Sequence, residues 1–479
     1  MNKSVLIELL SKFTPKEMKE FAEFVYSPFF NKNHSIIKLF DYLRKQYPDF
    51  ENNAIEKKYI YSEIFPDVEY NDGFMRTLMS GLCSLAENYL SYICFKYNNY
   101  YDKKFLLYEL NNRGLDRLFE RNYKAVSKQL EDEQIKDADF FYDKYDIGFE
   151  NIYHLHRVNM DKIEKIIPQS DVEDVFDNLT YFYLIQSMDH YLYFLNIMEM
   201  YKFRFNTEKF EKTLKILEAD KFKNVPAVEL YYNLLMLFLN EDDISYFYDT
   251  LKFLKNNVND LNKDYIHKAY LNLKNYCRRK IQKEENSFIK ELFDIYKIEL
   301  DLKIYSLQNE MSFWYYTGVI ETALKLKEYD WTKEFIEKYK CELAENSREN
   351  TYLYALSLYE FALKNFEKAL EILSKVRYND VYHKLKYRSL LLMIYYELDY
   401  WDLLIAQIDS FNHFLLNDVL VQSERKEYYS NFLKYIKTLN TYKESEKKQG
   451  PEILSNKIKE NPVVYNKEWL LEKLNELAE

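Results

Sequence analysis

Residues 352–373, YLYALSLYEFALKNFEKALEIL, carry the clearest structural signal in the chain. Their apolar side chains recur with helical spacing on both sides of the polar link Lys364-Asn365, which predicts helices at about 348–364 and 366–377. No run of the sequence has the strict two-residue alternation of a half-buried strand bounded by turns. We therefore predict an all-α fold.

The same two-helix pattern recurs from about residue 207 onward. Helix starts are spaced by about 33 to 46 residues, which is the period of a helical solenoid rather than of a bundle. The other predicted pairs are 226–240 with 243–257, 262–281 with 285–306, 308–327 with 330–346, and 381–398 with 400–417. The links between them are short and polar, as expected for helical hairpins.

Residues 352–373 also resemble a tetratricopeptide repeat. In that family a small residue stands where the second helix crosses the first, three positions after an aromatic residue, and Phe366 and Ala369 match those places. Ser357 stands at the family's small position in the first helix. The resemblance covers about residues 310–440. It implies a right-handed solenoid of helical hairpins that binds a protein or peptide on its concave face.

The first hundred residues predict a compact group of helices. Short helices are expected near 4–12, 15–26, 34–47 and 54–64, followed by a long one near 73–98. Capping boxes are predicted at Thr14 to Glu17 and at Ser170 to Glu173. The domain prediction is 1–100 for an N-terminal helical domain, 101–206 for a long-helix acidic connecting region, 207–440 for tetratricopeptide-like repeats, and 441–479 for a charged linker and a terminal capping helix.

Both ends of the chain carry a second resemblance. The runs Phe13-Thr14-Pro15-Lys16-Glu17 and Ser27-Pro28-Phe29-Phe30-Asn31 are similar to the opening of an uncharacterised family of bacterial helical proteins. Residues 469–473, WLLEK, are similar to the ending of that family. This resemblance implies a helical architecture and no activity. The same C-terminal residues predict a short helix that covers the last repeat, because an uncovered repeat would expose its apolar face.

Composition excludes several classes of site. Only 6 of the 479 residues are Gly, and no two of them are close in sequence. The sequence therefore contains no glycine-rich phosphate-binding loop and no dinucleotide-binding motif. The 4 Cys residues form no C-x-x-C pair, which favours a reducing compartment. No apolar stretch reaches the length of a membrane span. We therefore predict a cytoplasmic protein without a membrane partner, a cofactor, a metal or catalytic residues.

The chain is acidic, with 67 basic and 78 acidic side chains and a net charge of −11. Nucleic acid is consequently an unlikely partner, since binding to it rests on Lys and Arg that neutralise phosphates. One local basic cluster consists of Lys274, Arg278, Arg279, Lys280 and Lys283. We interpret it as a solvated helix face, with a nucleic-acid patch as the alternative.

The predicted partner-binding residues lie on the first helix of the 381–417 pair. Lys384 and Arg388 are four residues apart, so their side chains lie on one helix face. In the tetratricopeptide family such a pair resembles part of a clamp for a terminal carboxylate, while a solvated basic face is the alternative. Tyr382 and Tyr387 join the site because amphipathic tyrosines suit binding grooves. The predicted function is a non-catalytic scaffold or adaptor for a protein or peptide.

Two alternative functions follow from other residues. Arg377 and His383 are six apart, a spacing that resembles the motif of certain all-helical ribonucleases, with Arg377 binding phosphate and His383 as the acid–base group. A regulator that contacts nucleic acid through the N-terminal domain is the third possibility. His154 and His156 point apart on a helix, so they are interpreted as ordinary helix-surface residues rather than metal ligands.

Overall fold

The computed structural model describes residues 4–50, 54–98, 100–159, 168–201, 206, 208, 225–305, 310–377, 381–418, 421, 423–444 and 450–478. Within them the chain forms 22 α-helices and no β-strand, which confirms the predicted all-α class. The contacts divide the chain into two compact units. Unit 1 is Met1–Gln134 with Asp139–Phe182, and unit 2 is Ile135–Ala138 with Tyr183–Glu479.

Unit 1 begins with five helices around one apolar core. They are α1 (Val5–Ser11), α2 (Pro15–Tyr26), α3 (His34–Lys45), α4 (Lys57–Ile64) and α5 (Asp72–Tyr97). The long helix α5 lies against each of the other four. Phe21, Phe40 and Leu82 are fully buried between them. All five helices agree with the predicted ones to within a few residues.

The two predicted capping boxes have different outcomes in the structure. Thr14 Oγ1 accepts the backbone N–H of Glu17 at 3.2 Å, and the Glu17 carboxylate accepts the N–H of Thr14 at 2.7 Å. This reciprocal pair confirms the first predicted capping box. The second prediction is wrong, because the helix there already begins at Gln169, one residue before Ser170. Pro168 directly precedes that helix.

Four more helices follow. They are α6 (Tyr101–Asn112), α7 (Asp116–Glu131), α8 (Ala138–Val158) and α9 (Gln169–Tyr201). Gly114 ends α6 with a φ of 64°, a left-handed conformation that glycine adopts without steric cost. The N–H of Leu115 then donates to the carbonyl of Leu110 at 2.9 Å, as in a Schellman motif. The boundary between the units falls inside α9.

Unit 2 contains five consecutive helical hairpins. They are α10 (Pro226–Leu239) with α11 (Ser245–Asn257), α12 (Lys263–Gln282) with α13 (Ser287–Leu302), α14 (Phe313–Lys325) with α15 (Tyr329–Lys338), α16 (Arg348–Ala362) with α17 (Phe366–Leu373), and α18 (Val381–Glu397) with α19 (Trp401–Asn417). Each of the ten overlaps a predicted helix, although the ends differ by up to eight residues, as in α15, which ends at Lys338 rather than near residue 346. The two helices of each hairpin pack together, and first helices also contact each other in the pairs α10–α12, α14–α16 and α16–α18.

Four of these hairpins end their first helix with the same turn. Glu284, Lys327, Lys364 and Asp399 each have a positive φ, between 57° and 67°. In each case the next residue donates its N–H to a carbonyl five positions earlier, as Asn365 does to Glu360 at 2.9 Å. This is a Schellman motif without glycine. The recurrence of one turn explains why the links are uniformly short.

The crossing of α16 and α17 has the small residues that the sequence predicts. Ser357 Oγ donates to the carbonyl oxygen of Ala369 at 2.9 Å. Both residues are fully buried. A direct hydrogen bond from a side chain of one helix to the backbone of the next requires close approach, so a larger side chain at Ala369 would force the helices apart.

Three helices complete unit 2. They are α20 (Ser423–Glu444), α21 (Pro451–Glu460) and α22 (Lys467–Ala478). The predicted terminal helix is present as α22, whereas α20 and α21 were not predicted. Leu470 and Leu474 of α22 are buried in the core that also contains residues of α16 to α19. Residues 209–224 of the predicted repeats and 445–449 of the predicted linker lie outside the described residues.

Candidate functional site

The predicted partner-binding residues all lie on α18. Lys384 and Arg388 are one helical turn apart, and both are half-buried. Tyr387 is also half-buried and packs against the core of unit 2, and burial raises the pKa of its hydroxyl. The side chain of Tyr382 lies outside the described part of the structure.

Arg388 connects the two helices of its own hairpin. Its Nη1 donates to Ser410 Oγ of α19 at 3.1 Å. The guanidinium carbon also lies 5.2 Å from the ring centroid of Phe414 and 5.8 Å from that of Phe411. These distances are within the range of cation–π attraction. Arg388 therefore stabilises the packing of α18 on α19, whereas Lys384 makes no ion pair among the described residues.

An exposed tryptophan, which the sequence analysis did not select, lies beside this part of α18. Trp314, the second residue of α14, is 44% exposed. Its ring lies 5.9 Å from the ring of His383 and 5.4 Å from Lys386 Nζ. Lys386 in turn pairs with Glu321 of α14 at 2.6 Å. The first helices α14 and α18 thus present one surface on which Trp314 lies beside His383 and beside the ion pair of Lys386 with Glu321, whose lysine side chain is only 12% exposed. We call it the Trp314 surface.

The two residues of the ribonuclease alternative occupy different surroundings. Arg377 is exposed, and its backbone N–H donates to Asn350 Oδ1 at 2.9 Å. The ring of His383 packs against that of Phe313 with a centroid separation of 4.0 Å. The residues between them, 378–380, lie outside the described part of the chain.

The opposite end of α18 is covered by the terminal helix. Trp469 Nε1 of α22 donates to Glu397 Oε1 at 3.0 Å, and its ring lies 5.3 Å from that of Tyr396. Lys473 Nζ is 3.0 Å from the same Glu397 oxygen. One carboxylate at the end of α18 therefore binds both a tryptophan and a lysine of α22.

The same short helix reaches two other hairpins. Glu468 pairs with Lys325, the last residue of α14, at 2.7 Å. Lys467 pairs with Glu284, in the turn after α12, at 3.2 Å. The helix α22 thus contacts the C-terminal ends of three first helices. Lys384 lies about 20 Å along α18 from Glu397, at a rise of about 1.5 Å per residue, so it is well away from the end of α18 that α22 covers.

The basic cluster of α12 is not the solvated helix face that we expected. Lys274 and Lys280 are buried. Lys274 pairs with Glu299 and Lys280 pairs with Glu285, while Arg279 contacts Glu199 and Glu241. The interpretation was wrong for Lys274, Arg279 and Lys280, because their acidic partners lie outside α12, whereas Arg278 and Lys283 are exposed as expected. These side chains connect helices within unit 2.

His154 in unit 1 is likewise not the surface residue that we expected. It is only 2% exposed, and its ring stacks on Phe119 of α7 with centroids 4.1 Å apart. Its two ring nitrogens each lie 3.8 Å from a carboxylate oxygen, of Asp116 and of Glu120. Burial lowers the pKa of His154, and the two carboxylates only partly oppose this. The imidazole is therefore kept neutral near pH 7.

A lowered pKa makes the stability of unit 1 dependent on pH. Below about pH 6.5 the unfolded chain takes up a proton at His154 before the folded chain does, so stability decreases as the solution is acidified. We expect the urea midpoint, followed by far-UV circular dichroism, to fall less between pH 7.5 and 5.5 in His154→Gln than in the unmodified chain. His156→Gln is the matched control, because His156 is exposed. Equal pH dependence of all three proteins would contradict the prediction.

No protein-family model matches the sequence, and no curated protein and no solved structure matches it significantly. Among the described residues, no group of three or more His, Cys, Asp or Glu side chains is arranged to hold a metal ion. No helix in the described part of the chain is long and apolar enough to span a membrane.

Proposed function

We propose that this protein is a non-catalytic scaffold that binds a protein or peptide on a tetratricopeptide-like array formed by α10 to α19. The observation that carries the proposal is the Trp314 surface, where a half-exposed tryptophan of one first helix lies beside Lys386 and His383 of another. A half-exposed tryptophan is typical of the residues that contribute most to protein interfaces.

Two further features support an array that binds helical or extended segments. The same glycine-free turn ends four first helices, as expected of a repeated unit. The helix α22 provides an internal example of recognition, since it uses Trp469, Lys473 and Leu470 to pack at the opposite ends of these helices. We propose that Lys384 and Tyr387, both half-buried on α18, bind an acidic group of the partner.

The proposal is tested by affinity capture with the tagged full-length chain from an extract of its source organism. Bound protein is identified by mass spectrometry, and nucleic acid in the eluate is quantified. The test variant is Trp314→Ala with Lys384→Glu. Arg388 is left unchanged, because its contacts with Ser410 and Phe414 make its substitution a packing defect. The control is Leu416→Ala with Lys333→Glu, at two exposed positions on second helices.

One protein bound in stoichiometric amount by the control and lost from the test variant is the expected result. A partner retained by both variants would keep the scaffold and reject the Trp314 surface as its site. RNA without a stoichiometric protein would overturn the scaffold and favour the ribonuclease alternative with Arg377 and His383. Recovery of neither protein nor RNA would also reject the proposal.

A further inference from the structure

A second surface lies in unit 1, where α6 and α8 flank an open groove. The groove has a volume of about 550 Å³. Its lining includes Leu107 of α6 and Ile147 of α8, both buried, so the floor is part of the apolar core. Charged side chains from both helices also line it, among them Lys104, Asp146 and Glu150.

The α8 side of this groove is acidic because of helical periodicity. Asp139, Asp143, Asp146 and Glu150 follow one another at spacings of four, three and four residues, which puts them on one face of the helix. This stripe faces α6, since both Asp143 and Asp146 contact Lys104. The region 101–220, with 17 basic and 24 acidic residues, is also the most acidic part of the chain.

Lys104 illustrates the kind of group that the groove binds. Its Nζ lies 3.0 Å from Asp143 Oδ1 and 3.0 Å from Asp146 Oδ2. It also lies 4.3 Å from the ring centroid of Tyr142 and 5.6 Å from that of Tyr101. Burial lowers the pKa of Lys104, but its hydrogen bonds to the two carboxylates outweigh burial and raise it overall. An ammonium group is therefore stabilised between carboxylates and aromatic rings.

The single positive charge of Lys104 does not balance the negative charge of the acidic stripe on α8. Lys104 faces the carboxylates of both Asp143 and Asp146, while Glu150 Oε1 accepts its hydrogen bond from the neutral amide of Asn111 at 2.6 Å. The nearby Arg157 donates to Asn111 and pairs with Asp116 instead. Two carboxylates thus share one ammonium group and a third is bonded to a neutral amide, so these side chains carry a net negative charge that favours a cationic partner.

Aromatic side chains form the walls of the groove. Tyr101, Phe105 and Tyr108 recur along α6 at spacings of four and three residues, and Phe105 is 59% exposed. Tyr142 lines the α8 side, and Phe149, 53% exposed, follows two turns later on the same side of that helix. Exposed aromatic rings beside carboxylates that share one lysine suit a segment with apolar side chains for the rings and cationic side chains for the carboxylates of α8.

We propose that the groove between α6 and α8 is a docking site for an amphipathic segment of a partner protein that carries lysine or arginine next to apolar side chains. The carboxylates of α8 favour a cationic segment over an acidic one. Lys104 supports this choice, because its ammonium group already lies between two of these carboxylates. The two flanking helices form a channel of the kind that holds a helix by its apolar face. The inference concerns residues of unit 1 alone and holds even if the hairpins of unit 2 bind nothing.

The test uses fluorescence anisotropy with the full-length chain. The probe is a labelled peptide of about 18 residues, five helical turns, with leucine on one face and lysine on the other. A peptide with glutamate in place of lysine is the charge control, and one with serine in place of leucine is the apolar control. We expect the leucine–lysine peptide to bind at least about tenfold more tightly than either control.

Matched variants distinguish binding in the groove from nonspecific attraction of a cationic peptide to an acidic chain. Asp146→Asn with Glu150→Gln is compared with Glu131→Gln and Asp132→Asn, which remove the same charge from exposed residues at the end of α7. Phe105→Ser is compared with Phe29→Ser, at a position that is 86% exposed. The groove variants should raise the Kd about tenfold and the controls should leave it unchanged. Equal effects of groove and control variants, or equal binding of the glutamate peptide, would overturn the proposal.

Discussion

Replacing Glu299 by alanine should lower the free energy of unfolding of unit 2 by about 3–5 kcal/mol, because it leaves the ammonium group of Lys274 buried without a counter-charge. Lys274 Nζ lies 2.7 and 2.6 Å from the two oxygens of Glu299. The two side chains are 4% and 0% exposed. Burial lowers the pKa of Lys274, and Glu299 opposes that shift.

The surroundings of the pair cannot replace the lost carboxylate. The rings of Tyr296 and Tyr315 lie 5.3 and 4.8 Å from Lys274 Nζ, which provides cation–π attraction but no anion. The hydroxyl of Tyr315 makes no hydrogen bond of good geometry, and burial raises its pKa, so it stays protonated. The variant must therefore bury a bare cation, deprotonate Lys274 or open the packing of α12 on α13.

Urea unfolding followed by tryptophan fluorescence measures this effect in unit 2, because all 4 Trp residues lie there. The control is the double variant Lys274→Met with Glu299→Leu, which removes both charges and keeps apolar volume. We expect it to recover most of the lost stability, since buried ion pairs are often no better than well-packed apolar residues. A double variant as unstable as Glu299→Ala would show that the pair itself supplies the stability.

The sequence contained a signal for the burial of Lys274 but none for its partner. Lys274 lies four residues after Tyr270 and three before Cys277, on the stripe that α12 buries. Glu299 is 25 residues further along the chain, on another helix. Helical periodicity assigns a residue to a face, but only the packing of two helices decides which charges meet across it. The sequence analysis grouped Lys274 with four other basic residues as one exposed face. This grouping overlooked that Lys274 lies on the buried stripe of α12.

Helix positions were more predictable than contacts, because caps and turns are local. The hairpin links were recognised from short polar runs such as Lys364-Asn365, although the chain places lysine, glutamate or aspartate where glycine is usual. The helix α21 was missed for a related reason. Gly450-Pro451 was interpreted as the end of a charged linker, whereas Pro451 is the first residue of α21. Proline is favoured at that position because it lacks the N–H that a helix start leaves unpaired.

The candidate sites depended on information that spacing does not provide. The four-residue spacing put Lys384 and Arg388 on one face, yet Arg388 packs on α19 because Ser410 and Phe414 happen to lie there. Trp314 was indistinguishable in sequence from its neighbours in the run Phe313-Trp314-Tyr315-Tyr316, of which the other three are buried. Exposure of one aromatic residue among several is a property of packing, and it decides which of them can contact a partner.

Replacing Leu470 by alanine should destabilise all of unit 2 by about 2–5 kcal/mol. Leu470 is fully buried and belongs to the core that joins α22 to Phe432 of α20 and Phe411 of α19. The ion pairs of Lys467 and Glu468 are partly exposed and contribute little, so apolar burial holds the helix in place. Loss of this side chain leaves a cavity in a core shared by several helices.

The same experiment distinguishes an integral cap from a detachable helix. An integral α22 requires the urea midpoint of tryptophan fluorescence to fall, together with faster amide exchange in α18, α20 and α22. A detachable α22 would exchange faster by itself while the midpoint changed little, because the hairpins would remain folded without it. Leu416→Ala is the matched control, since that leucine is 79% exposed on α19 and its truncation should change stability by less than about 0.5 kcal/mol. We expect the urea midpoint to fall, as for an integral α22. Leu470 and Leu474 are completely enclosed by residues of unit 2, and dissociation of α22 would expose that core to water.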